Sequence, residues 1–154
     1  MDKLAGVERL ILSLWTGVMV GIGYIAAPVL FKTLDDRKLA GSLAGQMFEV
    51  VGVVGLICGG ILLMLRYKDQ SVQLFSQWRG IVLLLLLVLV AAMVFVVQPM
   101  MADLKAAGIE PGSEAAKQFG MMHGVSSIIY MATVISGCVL LFAGVKKEEK
   151  KEYL

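Results

Sequence analysis

Four long stretches without a charged residue constrain this chain more than any other feature. Three of them, residues 10–31, 80–102 and 124–145, are each long enough to cross a bilayer, because a membrane helix needs about 20 residues at a rise of 1.5 Å each. The fourth, residues 50–65, is shorter, but a helix that starts near Ala44 extends it to 44–65. We therefore predict an all-α, four-transmembrane-helix bundle formed by residues 1–154 as a single membrane domain.

Composition agrees with a lipid environment and excludes several functions. The chain is 58% hydrophobic and its mean hydropathy is +0.83, which is high for a soluble domain. A net charge of +2 gives no reason to expect a nucleic-acid partner. The sequence contains no nucleophile elbow, phosphate-binding loop or HExxH motif. We therefore expect the lipid bilayer as the main partner, and we favour a non-enzymatic protein over an enzyme.

The distribution of basic residues predicts the orientation. Nine lie on one side of the predicted bundle, at the N-terminus, in the connection between the second and third spans, and in the charged tail 146–154. Five lie on the other side. Because cytoplasmic segments are enriched in Lys and Arg, we place both termini and the tail in the cytoplasm, with the inner membrane of a bacterium as the expected location.

Small residues predict how the helices pack. The first span carries Gly17 and Gly21, and the second carries Gly52, Gly55 and Gly59. Such spacing lets membrane helices approach closely, so we expect these faces to lie inside the bundle. The third span has a run of leucine and valine with no glycine after its first residue, and we expect it to be the most exposed to lipid.

The fourth span has a polar stripe. Its members share one helical face and are His123, Ser126, Ser127, Tyr130, Thr133 and Gly137. A polar stripe in a membrane helix faces protein or a wet cavity. The only histidine in the chain, His123, is either an interfacial imidazole bonded to a helix-end carbonyl or a group that binds a metal, a proton or haem.

Two prolines lie near the ends of the first and third spans opposite the termini. Pro28 and Pro99 are expected to end or bend their helices, and a bend would free a carbonyl to line a cavity. A shift of 71 residues superimposes them, and it also aligns Phe48 with Phe119 and two short runs of small residues. Five identities in 21 positions indicate two helix hairpins related by an axis along the membrane normal.

Several of these segments together resemble a known family. They are Ala27 to Leu34, Gly41 to Phe48, Gln98-Pro99, and the run from Phe119 to Ser127 that contains His-Gly-x-Ser-Ser. The chain is similar in these segments to the transmembrane protein 205-like family, domain of unknown function number 4149, and remotely to copper-resistance D membrane proteins and a haem-binding four-helix oxidase. The resemblance implies a four-helix membrane fold. Animal members are linked to platinum-drug resistance, and bacterial members have no settled activity. The family often has asparagine where this chain has Tyr130.

These observations converge on a candidate binding site at one membrane face, the predicted outer mouth. Its residues are Pro28, Phe48, Glu49, Pro99, Phe119, His123, Ser126, Ser127 and Tyr130. Glu49 is interpreted either as a carboxylate that stabilises the N-terminus of the second helix or as a partner of His123 in handling protons or cations.

Two methionine pairs lie near this mouth in the sequence and suggest a metal site. Met100 and Met101 follow Pro99, and Met121 and Met122 precede His123. Thioether and imidazole groups suit Cu(I), although methionine is more often a packing residue. We predict a small transport, resistance or assembly component, with a copper-handling protein as the alternative and a haem-binding oxidoreductase as the second alternative. A homo-oligomer or larger membrane complex is expected if the protein transports a substrate.

Overall fold

The computed structural model describes residues 3–69 and 78–143, and confirms an all-helical fold with four helices long and apolar enough to cross a membrane. The four helices, called here the first to the fourth, consist of these segments: Lys3–Val20, Gly21–Ala26 and Ala27–Thr33; Arg37–Asp69; Trp78–Ala92, Met93–Val97 and Gln98–Ala106; and Glu114–Ala143. The predicted tail 146–154 lies outside the described residues.

The helices form a ring in chain order. The first packs against the second and fourth, and the third packs against the second and fourth. Residues 34–36 connect the first two helices and residues 107–113 connect the last two, so both connections lie at one end of the bundle. We call this the loop end. The opposite end contains Lys3 and Ala143, the first and last described residues.

Side-chain caps start the two helices that leave the loop end. The Asp36 carboxylate accepts hydrogen bonds from the N–H groups of Lys38 and Leu39 at 2.8 and 3.2 Å. In the same way, the Ser113 hydroxyl accepts a bond from the N–H of Ala116 at 3.1 Å. The second helix therefore starts at residue 37, seven residues before the expected start, because Asp36 supplies a cap that hydropathy does not reveal.

The third helix contributes as much to the core as any other helix, so the prediction that it is the most lipid-exposed is wrong. Leu83 and Leu86 are only 2% and 1% exposed. About 28% of the apolar window of this helix is buried, against 22% for the second and fourth helices. An all-apolar helix can present leucine equally well to protein and to lipid, which is why its composition did not reveal the buried face.

Close packing in the bundle uses glycines of the second and fourth helices. A methyl group on Gly55 would lie 2.8 Å from the Trp15 indole nitrogen, and one on Gly137 would lie 2.6 Å from the Thr16 hydroxyl. The first helix therefore supplies large side chains to these gaps. Its own Gly17 and Gly21 have nothing within 4 Å of such a methyl group, so the expectation that they form a close contact is wrong.

The prolines do not end their helices. Each follows a π-helical turn, in which the backbone N–H bonds to a carbonyl five residues earlier instead of four. The last bond before Pro28 joins the Ala27 N–H to the Ile22 carbonyl, and the last before Pro99 joins the Gln98 N–H to the Met93 carbonyl. Proline lacks an N–H and its ring crowds the carbonyl four residues earlier, and the wider turn accommodates both effects.

These turns agree with the predicted internal repeat. A shift of 71 residues maps the Ala27–Ile22 bond onto the Gln98–Met93 bond, and a half-turn of the helical ring exchanges the first helix with the third. The connections differ, because one has three residues and the other seven. Ser42 accordingly lies inside the second helix, whereas Ser113, its partner in the repeat, caps the fourth.

Candidate functional site

A cavity of about 440 Å³ lies towards the loop end, and we call it the loop-end cavity. All four helices line it. The lining residues are Gly23, Tyr24, Ser42, Gly45, Phe48, Glu49, Met93, Gln98, Met101, Ala102, Lys105, His123, Ser126, Ser127 and Tyr130. Its volume lies within the range of sites for small organic molecules, about 300–1,000 Å³.

The structure brings together six of the nine residues proposed for the outer mouth. The six that line the cavity are Phe48, Glu49, His123, Ser126, Ser127 and Tyr130. Phe119 is not among the lining residues, but its ring stacks on the imidazole of His123 at a centroid distance of 6.3 Å. Pro28 and Pro99 are exposed side chains outside the lining. The π-helical turns that precede the two prolines do line the cavity, through Gly23 and Tyr24 in the first helix and Met93 in the third.

Tyr130 connects the fourth helix to the π-helical region of the first. Its hydroxyl donates a hydrogen bond of 2.7 Å to the Met19 carbonyl, about one helical turn before Gly23. Only glycine fits at residue 23, because a methyl group there would collide with the Tyr130 ring.

The serines of the polar stripe bond to their own helix. The hydroxyls of Ser126 and Ser127 donate to the His123 carbonyl at 2.8 and 2.9 Å. Thr133 likewise donates to the Ile129 carbonyl at 2.8 Å. These bonds satisfy the hydroxyl donors within the membrane without a partner on another helix. The lone pairs of the serine oxygens remain able to accept a bond from a ligand.

Two charged side chains of opposite sign line the cavity, and their surroundings differ. The Lys105 ammonium donates to the Gly41 carbonyl at 3.3 Å and lies 5.6 Å from the centre of the Phe119 ring. It thereby ties the third helix to the second and fourth. Within residues 3–69 and 78–143, the Glu49 carboxylate has no hydrogen bond or ion pair. Glu49 and His123 share the cavity but form no ion pair with each other.

The position of Glu49 removes one of its two sequence interpretations. The second helix starts at Arg37, so Glu49 follows after 12 residues, about 18 Å along the helix at 1.5 Å per residue. A helix terminus stabilises charge only within its first turn. The interpretation of Glu49 as a helix-terminal carboxylate is therefore wrong. The other interpretation, a carboxylate that handles protons or cations, agrees with the position of Glu49 in the cavity lining.

The predicted methionine set is divided by the fold. Met101 lines the cavity, but Met100 and Met121 are 48% and 64% exposed on the outer surface of the bundle. Met93, which no sequence pattern selected, lines the cavity instead. Met122 is not among the lining residues. The described part of the chain contains no group of three or more His, Cys, Asp or Glu side chains able to hold a metal ion.

A second cavity of about 30 Å³ adjoins the first and is called here the inner cavity. It shares Phe48, Met93, Gln98 and Tyr130 with the loop-end cavity and is also lined by Trp15. Trp15 is 3% exposed, and its indole N–H has no hydrogen-bond partner among residues 3–69 and 78–143. A volume of this size holds about one or two water molecules.

Sequence reasoning did not select four polar or aromatic residues of the cavity. These are Tyr24, Ser42, Gln98 and Lys105. Gln98 precedes Pro99, and a glutamine within an apolar span was a usable signal because such a side chain faces the bundle interior. Lys105 gave no such signal, since the sequence alone places it in a polar connection.

Four apolar helices around a partly polar cavity define a small polytopic integral membrane protein. Within that class, the chain belongs to the family of the domain of unknown function DUF4149, whose model matches residues 10–110, more than half of the chain. The matched range includes Glu49 and Pro99 but ends before His123. No curated protein and no solved structure matches the chain.

Proposed function

We propose that the protein is a non-enzymatic membrane component that binds a small molecule in the loop-end cavity and acts in transport, resistance or assembly. One observation carries the proposal: Glu49, Lys105 and His123, all exposed side chains, line one cavity of about 440 Å³ in a bundle whose buried core is largely apolar. Ionisable groups within a membrane bundle are costly to maintain and usually mark a substrate or ion pathway.

The proposed orientation places the loop end outside the cytoplasm. It rests on the excess of basic residues on the side of the termini, nine against five. The ligand would then enter from the outer face of a bacterial inner membrane. Transport across the whole bilayer would require a further path, which a homo-oligomer or a larger membrane complex supplies.

A soft-metal function is the alternative, with a ligand set that differs from the one expected. The side chains that line the same cavity as His123 are Met93 and Met101. Copper handling would therefore depend on these two thioethers, and Met100 and Met121 would be dispensable. A haem-binding oxidoreductase is the second alternative, and the chain offers only one imidazole as a ligand for the iron. The visible absorption spectrum of the purified protein tests whether haem is bound.

A pair of alanines on the third helix allows a matched test of the cavity. Ala102 lines the cavity, and Ala106, about one turn further on, does not. Ala102→Phe should fill the cavity, whereas Ala106→Phe adds the same ring outside it. Native mass spectrometry of the purified wild type should detect a retained small molecule, which Ala102→Phe loses and Ala106→Phe keeps.

The same preparations test the alternatives and can refute the proposal. Copper that persists after Ala102→Phe but disappears after Met93→Leu and Met101→Leu would favour the metal function. If Ala102→Phe retains the same bound molecules as the wild type and supports the same cellular phenotype, the cavity is not a binding site. His123→Ala should abolish the phenotype while leaving protein level and helicity intact.

A further inference from the structure

We infer that the loop-end cavity is selective for organic cations, namely amines or quaternary ammonium groups that carry an apolar substituent. This inference rests on the proposed binding function and specifies the class of its ligand. It follows from three features of the described residues: an unpaired carboxylate, a lysine whose charge is already engaged, and aromatic rings around the same space.

The unpaired carboxylate belongs to Glu49. It lies directly before the uncharged stretch of the second helix, is exposed at the loop-end cavity, and has no partner in the described residues. A carboxylate within a membrane span needs a counter-charge, a hydrogen-bond donor or water. A bound cation supplies the counter-charge.

Lys105 does not supply that counter-charge. Its ammonium group bonds to the Gly41 carbonyl and faces the Phe119 ring, and it is not within ion-pair distance of Glu49. The ring face and the carbonyl oxygen both carry negative potential and hold the ammonium group in place. The carboxylate of Glu49 is therefore the charged group of the lining that has no partner among the described residues.

Aromatic rings give the cavity its preference for an organic cation over a hydrated metal ion. Tyr24, Phe48 and Tyr130 line the cavity, and the last two form an edge-to-face pair with centroids 5.1 Å apart. Ring faces attract cations that shed water easily, such as alkylammonium groups, and their apolar surface accommodates the substituent. A small inorganic cation would instead need several oxygen ligands, and Glu49 is the only carboxylate in the lining.

Three probes of similar size and different charge test the inference: benzyltrimethylammonium, benzyl alcohol and benzoate. Isothermal titration calorimetry of the purified full-length protein in nanodiscs should show binding of the ammonium probe that is at least about tenfold tighter than that of the other two. Glu49→Gln should weaken ammonium binding by about tenfold or more. Asp103→Asn, which removes an acid on the third helix outside the cavity, should leave it unchanged.

A second pair of variants keeps the test valid if Glu49→Gln fails to fold. Tyr24→Leu should weaken ammonium binding several-fold, and Tyr24→Phe should preserve it, because only the first removes the ring. Lys105→Met should leave ammonium binding equal or tighter. A weaker affinity in Lys105→Met would overturn the inference in favour of a zwitterionic ligand.

The outcomes separate this inference from the proposed function. Equal binding of benzyl alcohol and the ammonium probe, both lost in Ala102→Phe, would refute cation selectivity while leaving the cavity a binding site. Tighter binding of benzoate than of the ammonium probe would likewise refute cation selectivity and leave the cavity a binding site. Ammonium binding that persists unchanged in Glu49→Gln also refutes the inference, and binding that persists in Ala102→Phe places the ligand elsewhere and refutes both.

Discussion

Removing the Tyr130 hydroxyl should destabilise the bundle by about 1 kcal/mol. Tyr130→Phe keeps the ring against Phe48 and Gly23 but deletes the 2.7 Å hydrogen bond to the Met19 carbonyl. Interhelical side-chain bonds in membranes contribute about 0.6 kcal/mol on average and up to about 1.7 kcal/mol. We expect a value above the average because the bond is short and partly buried. The loss stays below about 2 kcal/mol because phenylalanine keeps the ring contacts of Tyr130.

The free energy of unfolding, measured by circular dichroism in mixed micelles with increasing denaturing detergent, gives this difference directly. Tyr24→Phe is the matched control, because Tyr24 is 52% exposed and its hydroxyl has no hydrogen bond within the described residues. It should change stability by less than about 0.5 kcal/mol. The reasoning is refuted if both variants lose the same free energy.

Three further outcomes follow from the packing and the topology. Gly137→Ala should lower the melting temperature clearly more than Gly124→Ala, because a methyl group on Gly137 would lie 2.6 Å from the Thr16 hydroxyl, whereas Gly124 has open space; equal melting temperatures would contradict this packing. Trp15→Phe should cost about 1–3 kcal/mol in chemical unfolding, because it leaves a gap against Gly55 that the indole fills, although no hydrogen bond within the described residues is lost, and an unchanged stability would contradict this packing. In a cysteine-free background, a cysteine at Asp35 should react with an impermeant reagent outside intact cells and one at Lys3 should not; the reverse pattern would invert the proposed orientation.

Hydropathy was sufficient to predict the helical fold, because a membrane span requires a long uncharged segment whatever its neighbours are. The polar stripe of the fourth helix was also informative, and its members Ser126, Thr133 and Gly137 are buried in the structure. A polar side chain within a membrane span is stable when it faces protein or water, so the sequence indicates which helical face is buried. This is why six of the nine proposed site residues line one cavity.

Features that depend on a neighbouring helix were not accessible in this way. Gly17 and Gly55 look alike in sequence, but only Gly55 faces a large side chain, Trp15. The prolines indicated a disturbed backbone, yet not that a π-helical turn would let each helix continue. The divided methionine set has the same origin, since Met100 and Met101 are adjacent and point to different sides of one helix.

The hydrogen bond from Tyr130 to Met19 also has a consequence for biosynthesis. The two residues are 111 positions apart, and ribosomes add about 5–20 residues each second. The first helix thus enters the membrane about 5–20 s before its partner exists. During that interval the Met19 carbonyl lacks its bond from Tyr130, and unsatisfied backbone groups are costly in lipid. The π-helical turn before Pro28 needs only residues of the first helix, so the fourth helix adds its hydrogen bond to a turn that is already formed.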